Sequence, residues 1–148
     1  MTNISMGGGN LFIDSNYFIA LFNKKDAKYN EAIELARDLE TNHYQKFISN
    51  LVFSEVVTVI SQRVDKQASI DVGEYLLSNT ALKTLFIDDR LHQDSWNIFK
   101  EISSKNTSFV DCGTIAVMRA ENIQELLTFD VADFKKLQKG HRFKLYKI

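Results

Sequence analysis

The stretch Leu11–Asn23, LFIDSNYFIALFN, changes its period at a single residue. Leu11, Phe12 and Ile13 form an unbroken apolar run, the pattern of a short strand covered on both faces. From Ser15 onward the apolar residues recur at helical spacing, so the chain turns from strand to helix across Asp14. A carboxylate at that joint is either a helix cap or a functional group, because burying a charge beside three core residues is costly unless it is paired.

The same alternation continues downstream. Strand-like runs are expected at Leu11–Ile13, Lys46–Ser49, Thr84–Ile87, Leu126–Phe129 and Phe143–Tyr146. Helical periodicity covers Ser15–Phe22, Tyr29–Leu39, Leu51–Val64, Ile70–Leu77, Leu91–Ile102, Val110–Ala120 and a short segment near Phe134. Strands separated by helices indicate βαβ units, hence a mostly parallel central sheet between helical layers: a three-layer α/β/α domain. In such sheets the working crevice lies beyond the carboxyl ends of the strands.

The chain has 148 residues, enough for one domain with a proper core, and no proline or low-complexity linker divides it. A single domain over residues 1–148 is expected. Its opening glycines, in MGGGN at Met6–Asn10, read as a flexible lead-in over residues 1–10, because they precede the first strand and lack a phosphate-binding pattern. Hydrophobic residues make up 45% and charged residues 25%, which excludes a disordered or fibrous chain. The lone Cys112 excludes an internal disulfide. No apolar run approaches the ~20 residues of a membrane span, and a cytoplasmic, non-membrane protein is the expectation.

Formal net charge is −1, so binding to a polyanion would need a local patch or a metal. A basic tail, Lys135, Lys136, Lys139, Arg142, Lys144 and Lys147, offers one such patch or a solvated surface; Lys24, Lys25 and Lys28 offer another. His43, His92 and His141 lack metal-ligand spacing. Trp96, Phe99 and Ile102 read as the core face of a helix, with a dimer contact as the alternative. Leu76, Leu77 and the valine-rich segment Val52–Ile60 are also open to a subunit interface.

Four acids stand near the expected carboxyl edge. Asp14 ends the first strand. Glu55 lies on the apolar helix after the second, among Val52, Val56, Val59 and Ile60. Asp111, in SFVDCGTIAVM, starts a helix almost free of polar residues, and Asp130, in LLTFDVADF, ends the fourth strand. Singly, Asp14, Asp111 and Asp130 fit helix N-caps and Glu55 fits a solvent edge. Together, in a parallel sheet, they meet at one end, where mutual repulsion asks for a cation. Oxygen donors alone select a hard ion, Mg²⁺ or Mn²⁺, which binds phosphate and activates water.

The segments FIDSNYFIALFNKKDAKYNEA, ISNLVFSEVVTVISQR, SFVDCGTIAVM and LLTFDVADF resemble, in order and spacing, the four acidic motifs of the PIN domain, in particular of VapC-type ribonuclease toxins. The resemblance implies a metal-dependent endoribonuclease in which Asp14, Glu55, Asp111 and Asp130 bind Mg²⁺ or Mn²⁺. Ser15 and Thr128 match the small hydroxyl positions beside the first and last acids, and Asp133 matches an acid that assists Asp130. It further implies RNA as substrate, a homodimer and a cognate antitoxin. Asn16, Tyr17 and Phe18 are bulkier than is common after the first acid, which is expected to alter substrate access. Three alternatives stay open: an RNA-processing nuclease outside any toxin–antitoxin pair, a non-catalytic RNA-binding module, and a phosphoacceptor receiver domain, against which a serine follows Asp14 and the middle acid is helical.

Overall fold

In a computed structural model, which describes residues 9–147, strands and helices alternate along the chain. In order they are β1 (Asn10–Ile13), α1 (Ser15–Leu21), α2 (Tyr29–Asn42), β2 (Gln45–Ser49), α3 (Asn50–Arg63), α4 (Lys66–Ser78), β3 (Leu82–Leu85), α5 (Asp89–Glu101), α6 (Phe109–Ala120), β4 (Glu125–Leu127), α7 (Val131–Leu137) and β5 (Lys144–Leu145). Residues 1–8 of the expected lead-in lie outside the described residues. Asn10 belongs to β1, opposite Gln45 of β2.

The five strands form one sheet in the order β3-β2-β1-β4-β5, every neighbouring pair parallel. Successive strand residues point to opposite faces. Leu11, Phe12 and Ile13 are nonetheless all at most 1% exposed, so both faces of β1 are covered, as the three-layer α/β/α reading requires. The core around β1 takes Val52, Val56 and Ile60 from α3, Ile115 from α6 and Phe134 from α7. Each such side chain removed from water stabilises the fold by ~1.5–3 kcal/mol.

The first three strands run outward on one side of β1, and the chain then crosses to place β4 on the other side. The order therefore reverses between β1 and β4, the switch point where such sheets open a crevice. The Asp14 N–H, donating to the Leu127 carbonyl at 2.9 Å, ties the carboxyl ends of these two strands together.

Several boundaries differ from the sequence expectation. β3 spans Leu82–Leu85, two residues before the apolar run at Thr84–Ile87, because the Ile87 N–H turns away to Asn50 Oδ1 at 2.8 Å while Phe86 projects into solvent at 70% exposure. β4 stops at Leu127, so Asp130 lies beyond the strand at the N-cap position of α7. α4 starts at Lys66, where Asp65 accepts from the Ala68 N–H at 2.7 Å, a cap that begins the helix before its apolar face does. Val52, Val56 and Ile60 belong to the core, while Phe53, Val57 and Val59 of the same segment are half-buried; of the Leu76–Leu77 pair only Leu77 is exposed. Trp96 and Phe99 are exposed, because the inward face of α5 is formed by Ser95 and Ile98.

Candidate active site

Three strand ends deliver Asp14, Glu55 and Asp130, and the start of α6, which follows α5, delivers Asp111. Asp14 follows β1 directly and caps α1, accepting from the Ser15 N–H at 2.9 Å. Ser49, the last residue of β2, caps α3 by accepting from the Val52 N–H at 3.2 Å, and so begins the helix that carries Glu55. Ser108 caps α6 in a reciprocal box: its hydroxyl accepts from the Asp111 N–H at 3.0 Å, and Asp111 Oδ2 accepts from the Ser108 N–H at 3.2 Å. Asp111 is thus the third residue of the helix, with Ser108 as the cap. Asp130 occupies an N-cap position without making the capping bond.

Asp14, Glu55, Asp111 and Asp130 all line one open pocket of about 400 Å³, together with Ser15, Asn16, Lys28, Arg63, Asn106 and Ser108. The small hydroxyls hold the acids from behind. Ser15 donates its hydroxyl to Glu55. Thr128 donates to Asp14 Oδ2 at 2.8 Å while its oxygen accepts from the Asp130 N–H at 3.0 Å. Asn16 completes the frame, donating to Thr128 Oγ1 at 3.2 Å and accepting from the Phe129 N–H at 3.1 Å. Asp133 stands beside Asp130 but outside the pocket lining, 3.7 Å from Lys136.

The electrostatics follow from this crowding. Burial pushes the Asp14 carboxyl up to about 7, against the Thr128 hydroxyl and the Ser15 N–H, and the charges of Asp111 and Glu55 push it the same way. Burial also lifts Asp111 to about 6, opposed by its Ser108 partners and reinforced by Asp130 and Glu55. Asp130 is raised by burial and then by Asp133. A pocket of oxygen donors that repel one another and resist ionisation has the donor chemistry of a hard-cation site. Among the described residues, no three Asp, Glu, His or Cys side chains stand close enough to clasp one ion as they are oriented. An ion that keeps most of its own water shell, as Mg²⁺ often does, needs fewer protein oxygens than a closed cage.

The remaining expectations divide. Tyr17 and Phe18 are in the core, at 4% exposure each, so of the three bulky residues only Asn16 faces the pocket. Lys28 lines the pocket, bonded to Glu31 at 3.1 Å and over the Phe129 ring at 5.7 Å; Lys24 and Lys25 do not line it. None of the basic tail lines it either, and Lys147 pairs with Asp38 at 3.3 Å. Cys112 is fully buried, with its thiol pushed up to about 11 by burial and by Asp111, as suits a small core residue. Arg63 is a pocket residue that the sequence did not single out. Its signal was helical spacing, since Glu55, Val59 and Arg63 share one stripe of α3 and all three line the pocket. Among the described residues no helix is long and apolar enough to cross a membrane.

A family model described as PIN domain matches residues 11–140. Among characterised proteins, the 23S rRNA-specific endonuclease VapC20 of Mycobacterium tuberculosis is 28% identical over 120 residues, 81% of this chain and 88% of that protein. The crystal structure of Mycobacterium tuberculosis VapC20, described as a sarcin-ricin loop cleaving toxin, matches with a TM-score of 0.75 at 25% identity, covering 89% of this chain and 96% of that one. VapBC2 from Rickettsia felis, bound to a DNA fragment from its promoter, matches with a TM-score of 0.61 at 20% identity over 90% of this chain and 96% of that one, a likeness of fold alone.

Proposed function

Because the chain belongs to the PIN domain family, we propose that it is a divalent-metal-dependent endoribonuclease and the toxin of a toxin–antitoxin pair. The observation that carries this reading is the meeting of Asp14, Glu55, Asp111 and Asp130 around one pocket at the β1/β4 switch point. The likeness to VapC20, an rRNA endonuclease, supports RNA as the substrate. The VapBC assemblies that share the fold support a cognate antitoxin.

Asp14, Glu55, Asp111 and Asp130 would hold Mg²⁺ or Mn²⁺, which supplies a charge for phosphate and an acidified water. The protein's own part is orientation. The Ser15 N–H and the Thr128 hydroxyl hold the two oxygens of Asp14, the Ser15 hydroxyl holds one oxygen of Glu55 and the Ser108 N–H one oxygen of Asp111. With its carboxyl raised to about 7, Asp14 would be partly protonated in the ion-free site near neutral pH, and a bound cation would favour loss of that proton. Lys28 and Arg63 line the pocket wall, and their charges would attract the phosphates flanking the scissile bond. Asp133 acts through Asp130 by holding its charge in check. Products are expected to carry a 5′ phosphate and a 3′ hydroxyl, and the working unit is proposed to be a cytoplasmic homodimer.

The test is cleavage of an RNA substrate by the wild type, Asp14→Asn and Asp111→Asn with Mg²⁺ or Mn²⁺ supplied. Both variants are expected to stay folded and lose cleavage. Retained activity in both refutes the assignment.

A further inference from the structure

Asn16 is the second residue of α1, where alanine would form helix better, so helix propensity does not account for it. Its side chain reaches across to Thr128 and Phe129, in the turn that leads from β4 to α7. It is half-buried and lines the acid pocket.

Backbone groups settle the direction of every hydrogen bond in this contact. A main-chain N–H can only donate, so the Phe129 N–H, 3.1 Å from Asn16 Oδ1, fixes which end of the amide is oxygen. The amide nitrogen therefore faces Thr128 Oγ1, at 3.2 Å, and can only donate to it. The Asp130 N–H donates to the same oxygen at 3.0 Å. A hydroxyl oxygen has two lone pairs and one hydrogen, so both acceptor places of Thr128 are taken. Its hydrogen is left for Asp14 Oδ2, at 2.8 Å, in a side chain that is buried from water. With the Ser15 N–H on its other oxygen at 2.9 Å, the Asp14 carboxylate is held at both ends, and its unused lone pairs remain for an ion.

We propose that Asn16 is a positioning residue of the acid pocket: its amide, set by the Phe129 N–H, fixes the Thr128 hydroxyl as a donor to Asp14 and so presents that carboxylate to the divalent cation. The assignment rests on the metal-dependent reading of the pocket and adds to it the group that orients the first acid. The rival role is structural, an anchor for the Phe129 backbone that does not depend on the Thr128 hydroxyl.

The experiment measures Mn²⁺ affinity on the full-length protein, without RNA, from the electron paramagnetic resonance signal of the free ion. It compares the wild type, Asn16→Ala, Thr128→Val, Thr128→Ser and the two double variants, each checked for its fold by urea unfolding. Asn16→Ala is expected to weaken Mn²⁺ binding about tenfold, the lower end of what losing a ligand-orienting group costs. That penalty should persist beside Thr128→Ser and shrink to under about twofold beside Thr128→Val, where no hydroxyl is left to orient. Asn16→Ser, whose single hydroxyl cannot replace both ends of the amide, should follow the same pattern and serves if the alanine variant unfolds. In RNA cleavage, saturating Mn²⁺ should restore Asn16→Ala to the wild-type kcat with an unchanged KM.

Unchanged Mn²⁺ affinity in Asn16→Ala overturns the proposal. So does an equal penalty beside Thr128→Val, which would make Asn16 an anchor for Phe129 alone. A raised KM for RNA at saturating Mn²⁺ overturns it as well, because Asn16 would then touch substrate. Failure of the nuclease reading is seen separately, as a wild type that binds Mn²⁺ without cleaving RNA, while the affinity comparison still decides the role of Asn16.

Discussion

Asp14→Asn is expected to stabilise the metal-free protein, by an amount that grows with pH. Asp14 is 5% exposed, and burial raises its carboxyl from 3.8 to about 7. Between those values the unfolded chain has released a proton that the folded chain still holds, so stability falls as pH rises. The loss begins near pH 4 and is complete above pH 7. About three pH units at ~1.4 kcal/mol each give up to ~4 kcal/mol from this residue. Asparagine keeps the oxygen that accepts from the Ser15 N–H but has no charge to bury, so the variant should match the wild type below pH 4 and exceed it by a margin that widens from pH 5 to pH 8. With a urea slope of ~2 kcal/mol per molar, the gap at pH 8 is a midpoint shift of about 2 M. The assay is urea unfolding in EDTA at half-unit steps from pH 5 to pH 8. A difference between the two proteins that stays constant across that range would refute a buried, reluctantly ionised Asp14.

Adding Mg²⁺ at about 100 times its Kd at pH 8 should recover ~2.7 kcal/mol of wild-type stability by mass action. Thermal or urea unfolding reads this, and an equal gain in Asp14→Asn would exclude Asp14 as a ligand. Thr128→Val removes the donor to Asp14 Oδ2 and the acceptor of the Asp130 N–H, at a cost of ~1–3 kcal/mol. Because the lost hydroxyl favours the charged form of Asp14, the acid limb of the kcat/KM profile should move to higher pH in Thr128→Val and stay in place in Thr128→Ser; an unmoved limb in the valine variant would show that Thr128 does not tune Asp14.

The fold was legible because its signal is periodic. Apolar runs of strand length alternating with helical stripes require parallel pairing, and the structure has five parallel strands. Strand ends were harder to place, since Phe86 continues the apolar run of β3 although the ladder has stopped. Sequence composition does not show where a backbone N–H finds another partner, as Ile87 does in Asn50. For α5 the periodicity was real but its phase was misleading. Trp96 and Phe99 are its largest apolar residues, yet Ser95 faces inward, its hydroxyl bonded to the Leu91 carbonyl at 2.6 Å, close against Gly113 of α6. A stripe where two helices approach closely is filled by small residues, and hydrophobicity alone does not rank them first.

The site was legible for a different reason, and the same reason made each acid ambiguous alone. At the carboxyl edge of a parallel sheet every strand turns into a helix, and a helix start asks for an oxygen that accepts a backbone N–H. Asp14 and Asp111 meet that local need and also face the pocket. Local capping does not require the raised values of Asp14 and Asp111, because a solvated cap meets the same need without burial beside other acids. Asp130 holds a cap position without making the bond, and Glu55, six residues into α3, caps nothing. These two set the pocket apart from a row of capped helices. What capping leaves unexplained is the raised carboxyls of Asp14, Asp111 and Asp130 around one pocket, for which a cation is the compensation we propose.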